Sequence, residues 1–371
     1  MADRISGTDR SEQPGAGVAA NAVWQSFRST SIVLAAVTLV TAGCAGSEPE
    51  ARPTVLVTAT TPEPELLTHQ VAEREFRAFV TNDDVARAAG DERLALTWTS
   101  DGQSQLTAAE FRKAAYDGDP VNRYQYGEPQ LLVPKLKADI YPHWFVAAVP
   151  RTVQGEPKST RTALMAFIRR APGDRWRLSL TTELLPKAKL PKVTVDDEGY
   201  ATALNTTDST MLIRPREVPG IQATLASEGP DSVARKVMRT GKYTTGYYSE
   251  VRRATRKAAD KDLTLQIVTV ATPFPIFPLR TEDDGGLVLY SLGRNSLLTV
   301  KDGKSGAKPP VPPEAAHLLD GTDEGSDITT SEVYQFAATD PPRTKKGKVK
   351  ADIIAQAGTI AKAGTRPSRT S

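Results

Sequence analysis

The chain has little of what usually carries chemistry. It contains one cysteine and three histidines in 371 residues. The single thiol, Cys44, excludes an internal disulfide and a cysteine-based metal site, so the folded part must be held by apolar cores. His69, His143 and His317 share no metal-ligand spacing, and each reads as a structural or partly exposed histidine. A formal net charge of +3 is too small to point to nucleic acid or an acidic partner. The apolar run Ile32 to Val40 falls short of the roughly 20 residues that a membrane-spanning helix needs. No Gly-x-Ser-x-Gly elbow is present. Hydrophobic residues at 39% and charged residues at 25% are ordinary for a soluble globular protein.

What is present begins with that apolar run. Arg4, Arg10 and Arg28 precede it, no Lys or Arg lies inside it, and Ala42-Gly43-Cys44 follows. Basic residues, a short apolar core and small residues are the order of an export signal. With the thiol next, the segment resembles the lipobox of bacterial lipoproteins, although Thr41 stands where such sites most often have Leu. The resemblance implies cleavage after Gly43 and a diacylglyceryl group on Cys44. Two acyl chains hold a protein on a membrane where one is marginal. An uncleaved signal anchor is the alternative, and the long basic region leaves open a start after Met1.

Residues 1–43 therefore read as a lipoprotein signal peptide and 44–65 as a lipidated, flexible tether. The tether is rich in Pro, Thr, Glu and Ala and cannot bury enough apolar surface to order itself. Within it only Val55-Leu-Val57 could pair as an edge strand. Ala72, Phe76, Phe79 and Val80 then recur at helical spacing. Thr107-Ala-Ala-Glu110 has the letters of a capping box, announcing a second helix with Phe111 behind it. Strands follow at 124–133, 144–149, 163–169 and 176–182, the last two joined by the turn Ala171-Pro-Gly-Asp174. Helices followed by antiparallel strands predict an α+β fold. After the Pro-rich break at 191–216 the order repeats, with helices near Pro219, Val233 and Tyr247. Strands are expected at 263–270, 287–292, 297–300, 333–338 and 349–354. The fold expected is two tandem α+β modules, 66–190 and 217–360, each with helices on a curved antiparallel sheet. A linker (191–216) separates them and a disordered tail (361–371) follows.

This order resembles the cone-shaped fold of the nuclear-transport-factor-like and cystatin-like superfamily. Tyr141-Pro-His-Trp-Phe-Val146, Asp174-Arg-Trp-Arg-Leu178, Asp197-Glu-Gly-Tyr200, the lipobox and the Pro-rich corner before Leu279 resemble a family of actinobacterial lipoproteins of unknown function. That resemblance covers most of the mature chain and implies no activity to transfer.

Candidate chemistry is sparse. Ser305-Gly-Ala-Lys308 has the letters of a Ser-x-x-Lys motif, but Pro309 and Pro310 forbid the helix that would bring the two side chains together. Thr240-Gly241-Lys242 is not the Lys-Thr-Gly strand of such enzymes. Asp320 to Asp327 places oxygens at the spacing of a calcium loop, but Ser331 stands where a Glu is needed. Asp283-Asp-Gly-Gly286 and Asp196-Asp-Glu-Gly199 read as turns. Arg252, Arg253, Arg256 and Lys257 form a basic stretch that could meet anionic lipid or a wall polymer, or be the solvated face of a helix. Trp144, Phe145, Phe167 and Trp176 could line a concave ligand cavity or form the core. No cofactor and no metal are expected. The reading is a membrane-anchored binding or scaffold protein at the cell envelope, contacting a protein, a wall polymer or a small ligand. An enzyme with a cone-shaped pocket, or an accessory subunit of a cell-wall or transport complex, is the alternative.

Overall fold

The computed structural model describes residues 65–301, 308–320, 325–343 and 349–366. Gly43, Cys44, the expected signal peptide, nearly all of the tether, Val55-Leu-Val57, Ser305 and residues 367–371 lie outside this set.

Three helices come first, α1 (His69–Ala89), α2 (Glu92–Thr97) and α3 (Asp101–Asp117). Thr68 caps α1 by accepting from the Val71 amide, and Gly90, in the left-handed region, ends it. Thr107 to Glu110 is not a helix start. Helix α3 begins six residues earlier, after Ser100, and Thr107 lies inside it at 1% exposure. A Thr and a Glu three apart on one helix face give the same letters as a capping box.

Strands β1 (Tyr124–Tyr126), β2 (Gln130–Leu132), β3 (His143–Val153), β4 (Arg161–Arg169) and β5 (Arg177–Leu184) follow. The single strand expected at 124–133 is broken at Gly127, whose amide donates to the Pro150 carbonyl at 2.8 Å. The second half contributes α4 (Val218–Glu228), α5 (Thr245–Ala259), β6 (Leu263–Ala271), β7 (Phe277–Arg280), β8 (Gly286–Val300), α6 (Ala316–Leu319), β9 (Asp327–Asp340) and β10 (Asp352–Arg366). The residues expected to form a helix near Val233 make a short 3-10 turn. The two strands expected at 287–292 and 297–300 are one. Gly293 to Ser296 has turn composition, yet it pairs on both sides, with β6 and with β9.

All ten strands form one antiparallel sheet in the order β1-β3-β4-β5-β10-β9-β8-β6, with β2 on β3 and β7 on β8. The joint between the halves is short, Leu184 opposite Ala355 and Glu183 opposite Gln356. Gln335, fully buried, reinforces it. Its side-chain oxygen accepts from the Thr181 amide at 2.9 Å, and its carbonyl accepts from the Thr182 hydroxyl at 3.0 Å.

The period of two along each strand separates three cores. Phe145, Ala147, Val149, Met165 and Phe167 face α1, where Phe76 and Phe79 meet Phe167 edge-on at 6.1 and 5.4 Å. The alternate residues Val146, Leu164, Ala166 and Ile168 face the other way and pack against Leu279, Leu287, Leu289, Ala337 and Ala355 of the second half. Val288, Tyr290, Phe336 and Ala338 face α4 and α5. The sheet thus turns back on itself at β5–β10, giving layers of helix, sheet, sheet and helix. Strand β4 is buried on both faces as a result.

A bulge breaks the alternation of side chains along β5. Phe167 pairs with Leu178 and Ala166 with Leu180, so Ser179 is extra. Leu178 consequently faces α1, while Leu180 faces the second half. Two boundaries also differ from expectation. The 191–216 segment is packed, with Val193, Ala201, Leu204, Met211 and Ile213 buried. Its prolines forbid long ladders, but single bridges tie it to both halves, Pro134 to Ala201 and Ala203 to Leu279. Residues 361–366 are strand. Their Gly-, Ala- and Thr-rich sequence has no apolar period, and pairing along β9 holds them.

Candidate functional site

The first half presents a loop, 133–142, before β3. It ends in the cis peptide Tyr141-Pro142. His143 then opens β3, fully buried, and its Nε2 donates to the Lys137 carbonyl at 2.9 Å. That bond leaves Nδ1 as a buried acceptor with no partner among the described residues. Burial lowers the His143 pKa, opposed in part by the Lys137 carbonyl. The Tyr141 ring stacks on the imidazole at 4.2 Å, and the Tyr141 hydroxyl is also buried without a partner.

Trp144 points to the opposite face and meets Phe277 edge-on at 5.5 Å. Phe277 follows the corner Pro273-Phe-Pro-Ile276, where missing amide donors prevent β6 from running on into β7. Leu136, Tyr141, Trp144, Ile168, Ile276 and Phe277 thereby wall a cleft of about 480 Å³. Thr206, from the connecting segment, completes it, and Lys135 and Lys137 stand at its rim. This is the size and largely apolar lining of small-molecule sites. Lys135 pairs with Glu198 at 3.0 Å. Lys137 makes no ion pair with a described carboxylate and is exposed, as is Ile140, 56% exposed.

The residues singled out in the sequence are dispersed. His69 bonds the Gly199 carbonyl at 3.1 Å and packs edge-on against Tyr200. His317 lies on α6, its pKa lowered by burial. No group of three metal-binding side chains converges among the described residues. Asp196 and Asp283 accept amide hydrogens two residues on, the bonding of turns. Of the calcium-like loop, 321–324 lie outside the described residues, and Asp327 opens β9. Arg252, Arg253, Arg256 and Lys257 are exposed on α5, with Arg252 donating to the Tyr248 hydroxyl at 3.3 Å. Phe145, Phe167 and Trp176 are core on the α1 side, and only Trp144 reaches the cleft.

Two buried charge clusters were not visible in the sequence. Arg87, 7% exposed, bonds Asp83 at 2.7 Å and Glu110 at 2.9 Å, beneath the Tyr124 ring. Burial alone would lower the Arg87 pKa, but Glu110 and Asp83 outweigh it and raise it. Arg294 lies between the Tyr247 and Tyr334 rings and bonds Glu332 at 2.7 Å and Glu250 at 3.1 Å. Each cation faces two carboxylates, an arrangement that fixes elements in place. The signal of the first was an Asp83–Arg87 pair four apart on a helix, which in sequence is indistinguishable from a surface pair, and the partners of Arg294, 38 and 44 positions away, gave none.

Two quoted motifs, Tyr141 to Val146 and the Pro-rich corner, thus come together in space as the two walls of one cleft. No described helix is long and apolar enough to cross a membrane. No solved structure matches the chain significantly. An uncharacterized lipoprotein of Streptomyces coelicolor is 24% identical over 276 residues, covering 71% of this chain and 76% of the relative. Residues 63–364 match a domain of unknown function, DUF8094, and the chain belongs to that family.

Proposed function

We propose that the chain is a lipoprotein, held through Cys44 on the outer face of the cytoplasmic membrane, whose folded part binds an apolar or amphiphilic molecule without transforming it. The observation that carries the binding role is the cleft. Four separate segments build it, and its walls are mainly apolar, with one buried polar atom lacking a partner among the described residues, the Tyr141 hydroxyl. Each buried methylene of a ligand contributes about 0.8 kcal/mol. The lipobox-like Ala42-Gly43-Cys44 supports the anchor. The Streptomyces relative, itself called a lipoprotein, supports it too.

The cone-shaped fold suggested by the order of elements would place a ligand between α1 and the first sheet. Phe76, Phe79, Phe145 and Phe167 fill that space, so the cleft between the halves is the better site.

Two experiments test the reading. Cys44→Ala moves the chain from the membrane fraction to the soluble one, and a variant that stays in the membrane fraction contradicts the anchor. A fluorescent fatty acid brightens on binding the wild-type chain and not on binding Ile140→Glu, whose exposed position leaves folding intact by circular dichroism. Equal brightening with both would place the probe elsewhere.

A further inference from the structure

We infer that the cleft faces the bilayer and takes an anionic lipid from it, which rests on the anchored reading above. Glu65, the first described residue, lies 21 residues along from Cys44. Glu65 is gripped by Arg169, a guanidinium buried to 5% exposure, which bonds the Glu65 carboxylate and carbonyl, each at 2.8 Å. The same guanidinium lies 5.7 Å over the ring of Tyr141, a wall of the cleft. Ile168, the residue before it, is another wall. The root of the tether and the cleft are therefore one side chain apart.

A segment of that length spans about 70 Å at most. On the anchored reading, the corner, and the cleft with it, stays within that reach of the membrane. Its surface suits the encounter. Ile140 projects at the mouth, 56% exposed, beside the rim lysines. Basic residues at an anionic leaflet are attracted to its surface. Lys137, with no described carboxylate paired to it, is placed for a headgroup phosphate, and the aromatic and aliphatic walls for an acyl chain. A wall polymer, polar along its length, would leave those walls unmatched.

The test uses the full lipidated chain in phosphatidylcholine vesicles, with and without phosphatidylglycerol, each lipid in turn carrying a photoactivatable acyl chain. After irradiation, adducts are expected in 136–144 and 274–277. Lys137→Glu lowers the yield from phosphatidylglycerol about tenfold, and that from phosphatidylcholine, whose choline offsets the phosphate charge, by less. Adducts confined to the tether, or spread evenly over the surface, would overturn the inference, as would an unchanged yield in Lys137→Glu. A parallel arm mixes the Cys44→Ala chain with monomeric lysophosphatidylglycerol. Binding there without capture from vesicles refutes the membrane-facing cleft while leaving the binding role standing. Binding in neither arm refutes both.

Discussion

Asp340, at the end of β9, is 1% exposed and accepts only weakly from the Ile213 amide, at 3.2 and 3.3 Å. Burial pushes its carboxyl up to about 7 from an ordinary 3.8, against the pull of Ile213 and Arg343. The folded chain then holds a proton that the unfolded chain has released between these values. Stability from this group is full below about 4 and lost as pH rises through about 7, an effect on the order of 4 kcal/mol. Asp340→Asn should flatten urea-denaturation stability between those pH values. An unchanged slope would place the titration elsewhere. Arg87 gives a second prediction at this scale. Arg87→Met leaves Asp83 buried beside Glu110 without its bonded cation and should cost about 3 to 5 kcal/mol. Adding Asp83→Asn should recover part of that loss in the same denaturation assay.

At the scale of elements, β10 carries the joint of the sheet, pairing with β9 along its length and with β5 at two positions. A chain ending at Lys350 should lose protease resistance in both halves. Survival of 65–190 as a resistant fragment would show the first half to be independent. Gln335→Leu removes the acceptor for the buried Thr181 amide and should cost about 1 to 3 kcal/mol by chemical denaturation. The elements differ in how legible they were. Helix α1, α5 and the β4–β5 hairpin were readable because their apolar spacing or turn residues are local signals. The far end of β10 was not, because Gly, Ala and Thr carry no period and long-range pairing decides. The Ser179 bulge was equally hidden, since one extra residue changes which core each later side chain enters.

At the scale of the whole molecule, the repeated helices-then-strands order was legible, and the continuity of the sheet was not. Nothing local marks Leu184 and Ala355 as partners 171 positions apart. The cleft follows the same pattern. Its two wall motifs could be quoted from the sequence, but their meeting depends on the sheet turning back, and Lys137 and Ile140 carried no signal. Because Val146, Leu164 and Ile168 share one core with Leu287, Leu289 and Ala337, calorimetry should show one transition with equal calorimetric and van't Hoff enthalpies. Two resolved transitions would mean that the halves fold separately.

The most direct test is mass spectrometry of the intact chain released from envelope membranes in mild detergent, recorded before and after denaturation. The spectrum predicted is a chain that begins at Cys44 with a covalent diacylglyceryl increment surviving denaturation, plus a second lipid that leaves on denaturation and is missing from Ile140→Glu. A chain that begins upstream of Cys44 with an unmodified thiol, or one that never carries the second lipid, would contradict the anchored, lipid-binding account.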